Sequence, residues 1–334
     1  MPHPITALHG APYARILGVG GYRPRRVVPN SEIVGRINSS DEWVRERTGI
    51  RTRRWAGEGE SVVDMSTAAA GKALAAAGVA PEDVGFVMIA TVTHPHQTPA
   101  AAPEVATRLG AVNAAAMDIS AACAGFCYGL ALANDMVRGG SARYVVVIGC
   151  ERLSDFTDLD DRGTAFLFAD GAGAAVVGPS DTPGIGPVVW GAEGDKRDLI
   201  HQTHSWLEVR DNRDVEFPTF HMAGQSVFRW AVWQMAPVAE RALEAAGLTP
   251  AELDVFIPHQ ANMRIIDALL KKLDLPEGIP VARDIAEMGN TSAASIPLAM
   301  ESMLEAGEAA SGDNALLIAF GAGLVYAALV VTLP

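Results

Sequence analysis

Residues 73–81 read ALAAAGVAP and residues 242–250 read ALEAAGLTP. Six of the nine positions are identical, and the second copy starts 169 residues after the first in a chain of 334. The flanks agree too. Each stretch closes an amphipathic pattern that begins near Ser61 or Ser226, and each glycine, Gly78 or Gly247, stands where a helix C-cap belongs. Each Pro leads through an acidic turn into an apolar strand, VGFVMIATV or LDVFIPH. Further on, each half has a small-residue loop that opens a helix, DISAACAGFCYGLALANDMV and GNTSAASIPLAMESML, and then a buried strand, RYVVVIGC or NALLIAF. Repetition of the order of elements, beyond nine matching letters, predicts a chain written twice. Alternating strands and helices predict an α/β fold with covered sheets, the two copies packed as a pseudo-twofold pair. The turn-rich GPSDTPGIGP at 178–187 marks the boundary, giving halves 1–182 and 183–334. A site formed where such halves meet draws on loops of both.

Hydrophobic residues are 49% of the chain and charged residues 19%, which excludes a disordered chain. The net charge of −13 argues against a general nucleic-acid binder. Residues 1–54 reverse that sign locally, with ten Arg, no Lys and four acids. This basic stretch reads either as a solvated face or as a site for a phosphorylated small ligand. Three cysteines, Cys123, Cys127 and Cys150, point to a reducing, cytoplasmic setting without a disulfide framework. No basic region followed by an apolar run opens the sequence, so no secretory signal is expected. Residues 315–334, ALLIAFGAGLVYAALVVTLP, are uncharged over 20 positions, the length of a membrane span. Gly321 and Gly323 divide them into two strand-length runs, so two buried strands joined by a glycine loop are expected in place of a membrane anchor.

Cys123 follows a strand ending near Ile119 and lies at the start of a helix. Free N–H groups and the helix dipole favour a thiolate there, making Cys123 a candidate nucleophile; position alone leaves open an inert buried cysteine. Cys127, one turn further in, reads as core. His259 ends the strand DVFIP, where α/β folds often place catalytic groups, although a loop histidine fits as well. Asn290, in EMGNTSAASIP, occupies the matching strand-to-helix junction of the second half, where an Asn also serves as a cap or turn residue. A thiolate with two neutral hydrogen-bond donors can accept an acyl group as a thioester and stabilise an enolate formed beside it. Other motifs fail. GVGG at 18–21 follows a strand but runs into Pro24 and three Arg, so no dinucleotide loop forms. DGAG at 170–173 followed by AAVVG reads as strand–turn–strand, with no Gly-Lys-Ser/Thr for a P-loop. His94 and His96 lack a third metal ligand.

The motifs GVGGYRP, SSDEWVRERTGIRTRRWA, DISAACAGF, DRGTAFLFADGAGAAVV, VFIPHQANMRI, GNTSAAS and FGAGLVYA together resemble the 3-oxoacyl-[acyl-carrier-protein] synthase III family of the thiolase superfamily, in its actinobacterial form. The resemblance runs from about Arg15 to Leu333 and implies a duplicated α-β-α-β-α layered fold. It also implies a mechanism. Cys123 takes an acyl group from acyl-CoA; malonyl-ACP then decarboxylates, and its enolate, held by His259 and Asn290, attacks the acyl group to give 3-oxoacyl-ACP. Backbone N–H groups of Cys123 and Ala322 would form the oxyanion hole, Ala322 standing where many relatives have Gly. Trp43 and Arg162 resemble the pair that stacks on the CoA adenine, Arg47 a phosphate contact, and Asn262 a contact to the pantetheine arm. Residues Gln260, Ala261, Asn262, Met263 and Arg264, with Arg229, match the carrier-protein docking surface. Thr98 aligns with a position at the far end of the acyl pocket, reached from the partner subunit; several acetyl-preferring relatives have Phe there. A homodimer, no cofactor, no metal and no membrane partner are implied.

Rivals differ at named positions. A thiolase needs a second catalytic cysteine in its C-terminal half, and no cysteine follows Cys150. Elongating ketosynthases carry a second histidine where Asn290 stands. A starter ketosynthase of a specialised polyketide pathway has the same triad, and a non-condensing acyltransferase would not need the His259–Asn290 pair.

Overall fold

The computed structural model describes residues 5–334. Two sheets carry the repeat. The first orders Tyr13–Tyr22, Asp170–Ser180, Tyr144–Arg152, Val84–Ala90 and Ala115–Ile119 from edge to edge. The second, taken in the same sense, orders Val189–Gly191, Val325–Thr332, Asn314–Gly321 and Val255–Pro258. Parallel and antiparallel pairings match position by position. The fifth strand of the second sheet has shrunk to one parallel bridge between Phe256 and Val281. Residues 315–334 form the predicted antiparallel pair, with Ala315 opposite Val331 and Gly321 opposite Val325. Among the described residues, no helix is long and apolar enough to cross a membrane.

Helices Gly125–Gly139 and Ser295–Ala306 lie between the sheets, and Phe126, Leu130, Ile296 and Met300 are buried there with strand residues from both halves. Helices Val62–Ala77 and Ala101–Leu109 cover the outer face of the first sheet. Gly224–Ala246 and Met263–Leu273 cover that of the second. The layers are therefore helix, sheet, helix, sheet, helix, and the middle helices are apolar on most sides because both of their faces meet a sheet.

The repeat's punctuation works as its sequence implies. Ser61 caps Val62–Ala77 reciprocally with Asp64. Gly78 and Gly247 end their helices at φ 63° and 71°, a region costly for a residue with a Cβ. The second helix begins at Gly224, two residues before the expected Ser226. Two readings need correction. Residues 170–180 form one uninterrupted strand, because Asp170, Gly171 and Gly173 all pair with Tyr144–Arg152. The GVGG segment lies inside Tyr13–Tyr22, where Gly18 and Gly20 let the backbone of Val62–Ala77 approach: a Cβ at either would stand 2.5 Å from a helix backbone nitrogen.

Candidate active site

Cys123 sits in a single 3-10 turn, Ala122–Ala124, between the strand Ala115–Ile119 and the helix Gly125–Gly139. Ala122 adopts φ 44°, so the chain makes a tight elbow that presents the cysteine at the helix start. Gly321 lies against the elbow from the second half: a Cβ there would be 2.5 Å from the Cys123 nitrogen. That contact brings the Ala322 peptide beside Cys123. Ala322 itself does not have a positive φ, whereas Gly323 (74°) and Leu324 (42°) do, so the strained part of this turn lies after the Gly-to-Ala change.

A cavity of about 620 Å³ opens above this elbow. Cys123, His259 and Asn290 all line it, with Phe166, Phe320 and Val227 as apolar wall. His259 is buried, its Nδ1 2.7 Å from Ser295 Oγ. The Gln260 N–H donates to the same oxygen at 3.3 Å; when the Ser295 hydroxyl in turn donates to Nδ1, the ring proton lies on Nε2. Burial depresses His259 to about 3, so the ring is a neutral donor. Asn290 Oδ1 accepts from the Ser292 N–H at 2.9 Å, which turns its NH₂ group away as the free donor. The backbone of Asn290 is fixed on both sides by Leu167 and Ala169. Asn290 follows the short helix Ile285–Met288 and Gly289, not a full strand, since the strand expected before it is the single Val281 bridge.

Burial works against the charge at the helix start. The helix start was expected to favour a thiolate, yet Cys123 is pushed up to about 12. Burial is the largest cause, and the Glu151 carboxylate adds to it; the polar Ser292 hydroxyl acts in the opposite direction. Cys127 is buried in the core, as predicted.

The mouth of the cavity carries Trp43, Arg47, Arg162, Arg229, Asn262 and Arg264. Arg162 and Arg47 lie 5.1 Å and 5.3 Å from the centre of the Trp43 ring, which Phe166 braces edge-on at 5.3 Å. Asn262 caps Met263–Leu273 through the Arg264 N–H and donates to the Arg47 carbonyl, tying the second half to the basic stretch of the first. Arg229 and Arg264 are exposed. The docking segment is narrower than its sequence implied. Gln260 is buried, with its amide bonded to Pro258, Ala282 and Ile285, so its side chain cannot meet a partner, while Ala261 beside it lines the cavity. Met263 packs against Gly49. Thr98 is exposed and does not line the cavity of its own chain.

Three residues of the site escaped the sequence reading. Ser292 and Ser295 stood inside the quoted GNTSAAS, but nothing in the spelling shows which serine faces a histidine or a cysteine. Glu151, at the end of a strand, looks like a solvent-facing residue in sequence and is fully buried.

Residues 117–194 match the family model for 3-oxoacyl-[acyl-carrier-protein] synthase III, and residues 243–333 match its C-terminal counterpart. A beta-ketoacyl-[acyl-carrier-protein] synthase III of Streptomyces glaucescens is 64% identical, covering 99% of both chains. The priming beta-ketosynthase of the R1128 polyketide biosynthetic pathway superposes with TM-score 0.97 at 47% identity, covering 99% of each chain. The 3-oxoacyl-[acyl-carrier-protein] synthase III of Aquifex aeolicus gives 0.88 at 40% identity, covering 96% of this chain and 99% of that one. With its duplicated layers, its cysteine elbow and its full-length relatives, this chain belongs to the 3-oxoacyl-[acyl-carrier-protein] synthase III family.

Proposed function

We propose that the protein condenses an acyl-CoA starter with malonyl-ACP, releasing CoA and carbon dioxide and giving 3-oxoacyl-ACP, as the initiating step of fatty-acid synthesis. The observation that carries this reading is the convergence of Cys123, His259 and Asn290, from three separate junctions of two halves, on one cavity. Cys123 attacks the thioester, and the Cys123 and Ala322 N–H groups receive the oxyanion. After decarboxylation, His259 Nε2–H and the Asn290 NH₂ hold the enolate oxygen. Neutral donors suit this step. An imidazolium there would hand its proton to the enolate and quench the carbanion before it attacked, whereas a ring held near pKa 3 does not. Trp43, Arg47, Arg162 and Asn262 bind the CoA nucleotide and pantetheine arm, and Arg229 and Arg264 meet the acidic carrier protein. Since Arg162 already rests on Trp43, an adenine entering between them displaces the guanidinium.

Two copies work together in this reading. The strand Ala115–Ile119 is an open edge of the first sheet, and Val112 beside it is exposed, so a second copy can continue the sheet there. The exposed Thr98 then reaches the partner's acyl pocket. The setting is cytoplasmic, in keeping with three free cysteines, and the reaction uses no metal or redox cofactor.

The test is a panel of acyl-CoAs with malonyl-ACP, read by mass spectrometry of the carrier. A 3-oxoacyl-ACP product is expected; no condensation with any short acyl-CoA would overturn the proposal. The close superposition on a polyketide priming enzyme favours one second reading, a specialised starter enzyme. Condensation on a polyketide carrier protein but not on a fatty-acid carrier would select it.

A further inference from the structure

The helix Gly224–Ala246 carries two tryptophans with opposite surroundings. Trp230 turns inward, 7% exposed, with Nε1 donating to Glu193 Oε1 and its ring against Phe320. Trp233, three residues on, is 69% exposed, the most exposed of the six tryptophans. Single exposed aliphatic residues are ordinary on a protein surface, but a whole indole is a large apolar area to leave in water. Trp233 does not line the cavity. Its ring is nonetheless held in place. Lys272 of the helix Met263–Leu273 lies over it, Nζ 3.8 Å from the centroid. Nearer the mouth, Arg264 of the same helix lies over Phe228 at 5.3 Å, so each aromatic on one helix is covered by a cation from the next.

Arg229, four residues before Trp233 and therefore on the same helix face, is exposed at the mouth. Among the described residues, Arg229, Arg264, Lys271 and Lys272 take part in no ion pair. The one acid of Met263–Leu273, Asp267, is occupied by Arg283. In a chain of net charge −13, four unpaired cations around an exposed indole suit an acidic protein partner that brings an apolar contact of its own.

The geometry points to Trp233 as the apolar anchor for the body of the acyl carrier protein. This role deepens the condensation reading above and rests on it. A carrier whose acidic side meets Arg229 and Arg264 covers the next turn of Gly224–Ala246, where Trp233 stands. There an aliphatic side chain flanked by acids on the carrier packs on the indole face that Lys272 leaves open. The two kinds of contact divide the work. Charges steer the carrier and lose their hold as salt rises, whereas the indole holds it by removing apolar area from water, which salt does not screen. With the ring already held by Lys272, docking freezes little side-chain motion. Acyl-CoA has no protein body to reach this turn. Trp233 therefore favours the carrier in the second half-reaction without strengthening CoA binding in the first.

The experiment compares wild type with Trp233→Ala, Trp233→Phe and Arg264→Gln at low and high salt, about 0.05 and 0.5 M. It reads the KM for malonyl-ACP, the KM for a malonyl-pantetheine thioester with no protein body, the rate of Cys123 acylation by acyl-CoA, and the Kd of the apo carrier protein by calorimetry. Sedimentation follows the assembly state. Trp233→Ala removes an exposed side chain and should fold. It should raise the KM for malonyl-ACP and the carrier Kd about tenfold or more at both salt concentrations, with the other two readings unchanged. Trp233→Phe should keep most of the affinity, and the loss in Arg264→Gln should fade at high salt. A wild-type carrier Kd in Trp233→Ala, an equal loss toward malonyl-pantetheine, or a loss that vanishes at high salt would overturn the anchor. A changed assembly state with an unchanged carrier Kd would do the same, assigning the indole to a contact between copies. Failure of the condensation reading looks different. Wild type would then bind the carrier without forming product, and the anchor would stand or fall on the Kd alone; a wild type that bound no carrier would overturn both.

Discussion

In the first half the chain leaves the strand Ala115–Ile119, passes through Ala122 at φ 44° and enters the helix Gly125–Gly139. In the second it passes through Ser292 at φ 51° and enters Ser295–Ala306. A 3-10 turn of three residues precedes each helix, and a glycine from the opposite half closes on each elbow. Gly321 abuts Cys123, and Gly149 abuts Ala293, where a Cβ would stand 2.1 Å from the Ala293 oxygen. The backbones are nearly the same and the side chains are not. Cys123 of the first elbow faces the cavity, whereas Ala293 in the corresponding place is buried. The second half instead supplies donors: Asn290 before its elbow, Ser295 after it, and His259 at the end of a strand. Duplication produced two nucleophile positions, and only one of them is used for a nucleophile.

The strongest test of that division moves the thiol. Cys123→Ala should abolish the acyl adduct seen by intact-protein mass spectrometry, and adding Ala293→Cys should not restore it, because that elbow has no opening to the cavity. An adduct on the second elbow would show that the halves are interchangeable. Next in size are the donors. Asn290→Ala and His259→Ala should each still take the acyl group but condense roughly 100- to 1,000-fold more slowly, the usual cost of losing one such donor. Loss of acylation with normal malonyl-ACP decarboxylation would reverse their assigned role.

The two glycines separate structure from chemistry. Gly149→Ala and Gly321→Ala each force backbone apart across the interface and should cost about 1–3 kcal/mol in chemical denaturation. Only Gly321→Ala should also slow acylation, since its Cβ would meet the Cys123 N–H. Equal acylation by both variants would mean that the elbow tolerates displacement. A smaller effect is expected at Thr98. With Thr in place of a ring the pocket should be deeper, and four- and five-carbon starters, branched ones included, should compete with acetyl-CoA. Each extra buried methylene contributes about 0.8 kcal/mol. Thr98→Phe should shift the ratio of kcat/KM toward acetyl-CoA about tenfold. An unchanged ratio would remove Thr98 from the pocket.

The duplicated frame was legible because it is written in backbone punctuation, Gly78 and Gly247, the matched prolines and the small-residue loops, and backbone geometry follows such residues closely. The triad was legible because Cys123, His259 and Asn290 stand at junctions of that frame. What the sequence concealed depends on burial. Gln260 looked like a docking residue and is spent on three backbone groups. The Cys123 helix start favours a thiolate, and the sequence did not show that burial at the elbow and the Glu151 carboxylate push the other way. Glu151 gave no signal, since its burial depends on Thr91–Thr93 from one half and Ser292 from the other meeting in space.

The last contrast between the halves is a matter of protons. Each buries one titratable group beside the cysteine, and the two oppose each other in acid. His259 is depressed to about 3, below its unfolded value near 6.5. The stability it contributes is full above pH 6.5 and is lost as pH falls toward 3. Glu151 is raised to about 7, above its unfolded value near 4.3. Its contribution is full below about pH 4.3 and is lost as pH rises through 7. Between pH 4.5 and 6.5 the slopes oppose, each at most about 1.4 kcal/mol per pH unit. Glu151→Gln should therefore lose stability on acidification through this window, while His259→Gln should hold or gain it, in urea denaturation at fixed ionic strength. Asp170, raised to about 6 by burial, adds the same slope to both variants and cancels in their difference. Parallel stability profiles for the two variants would show that the buried pair does not divide its protons between the halves in this way.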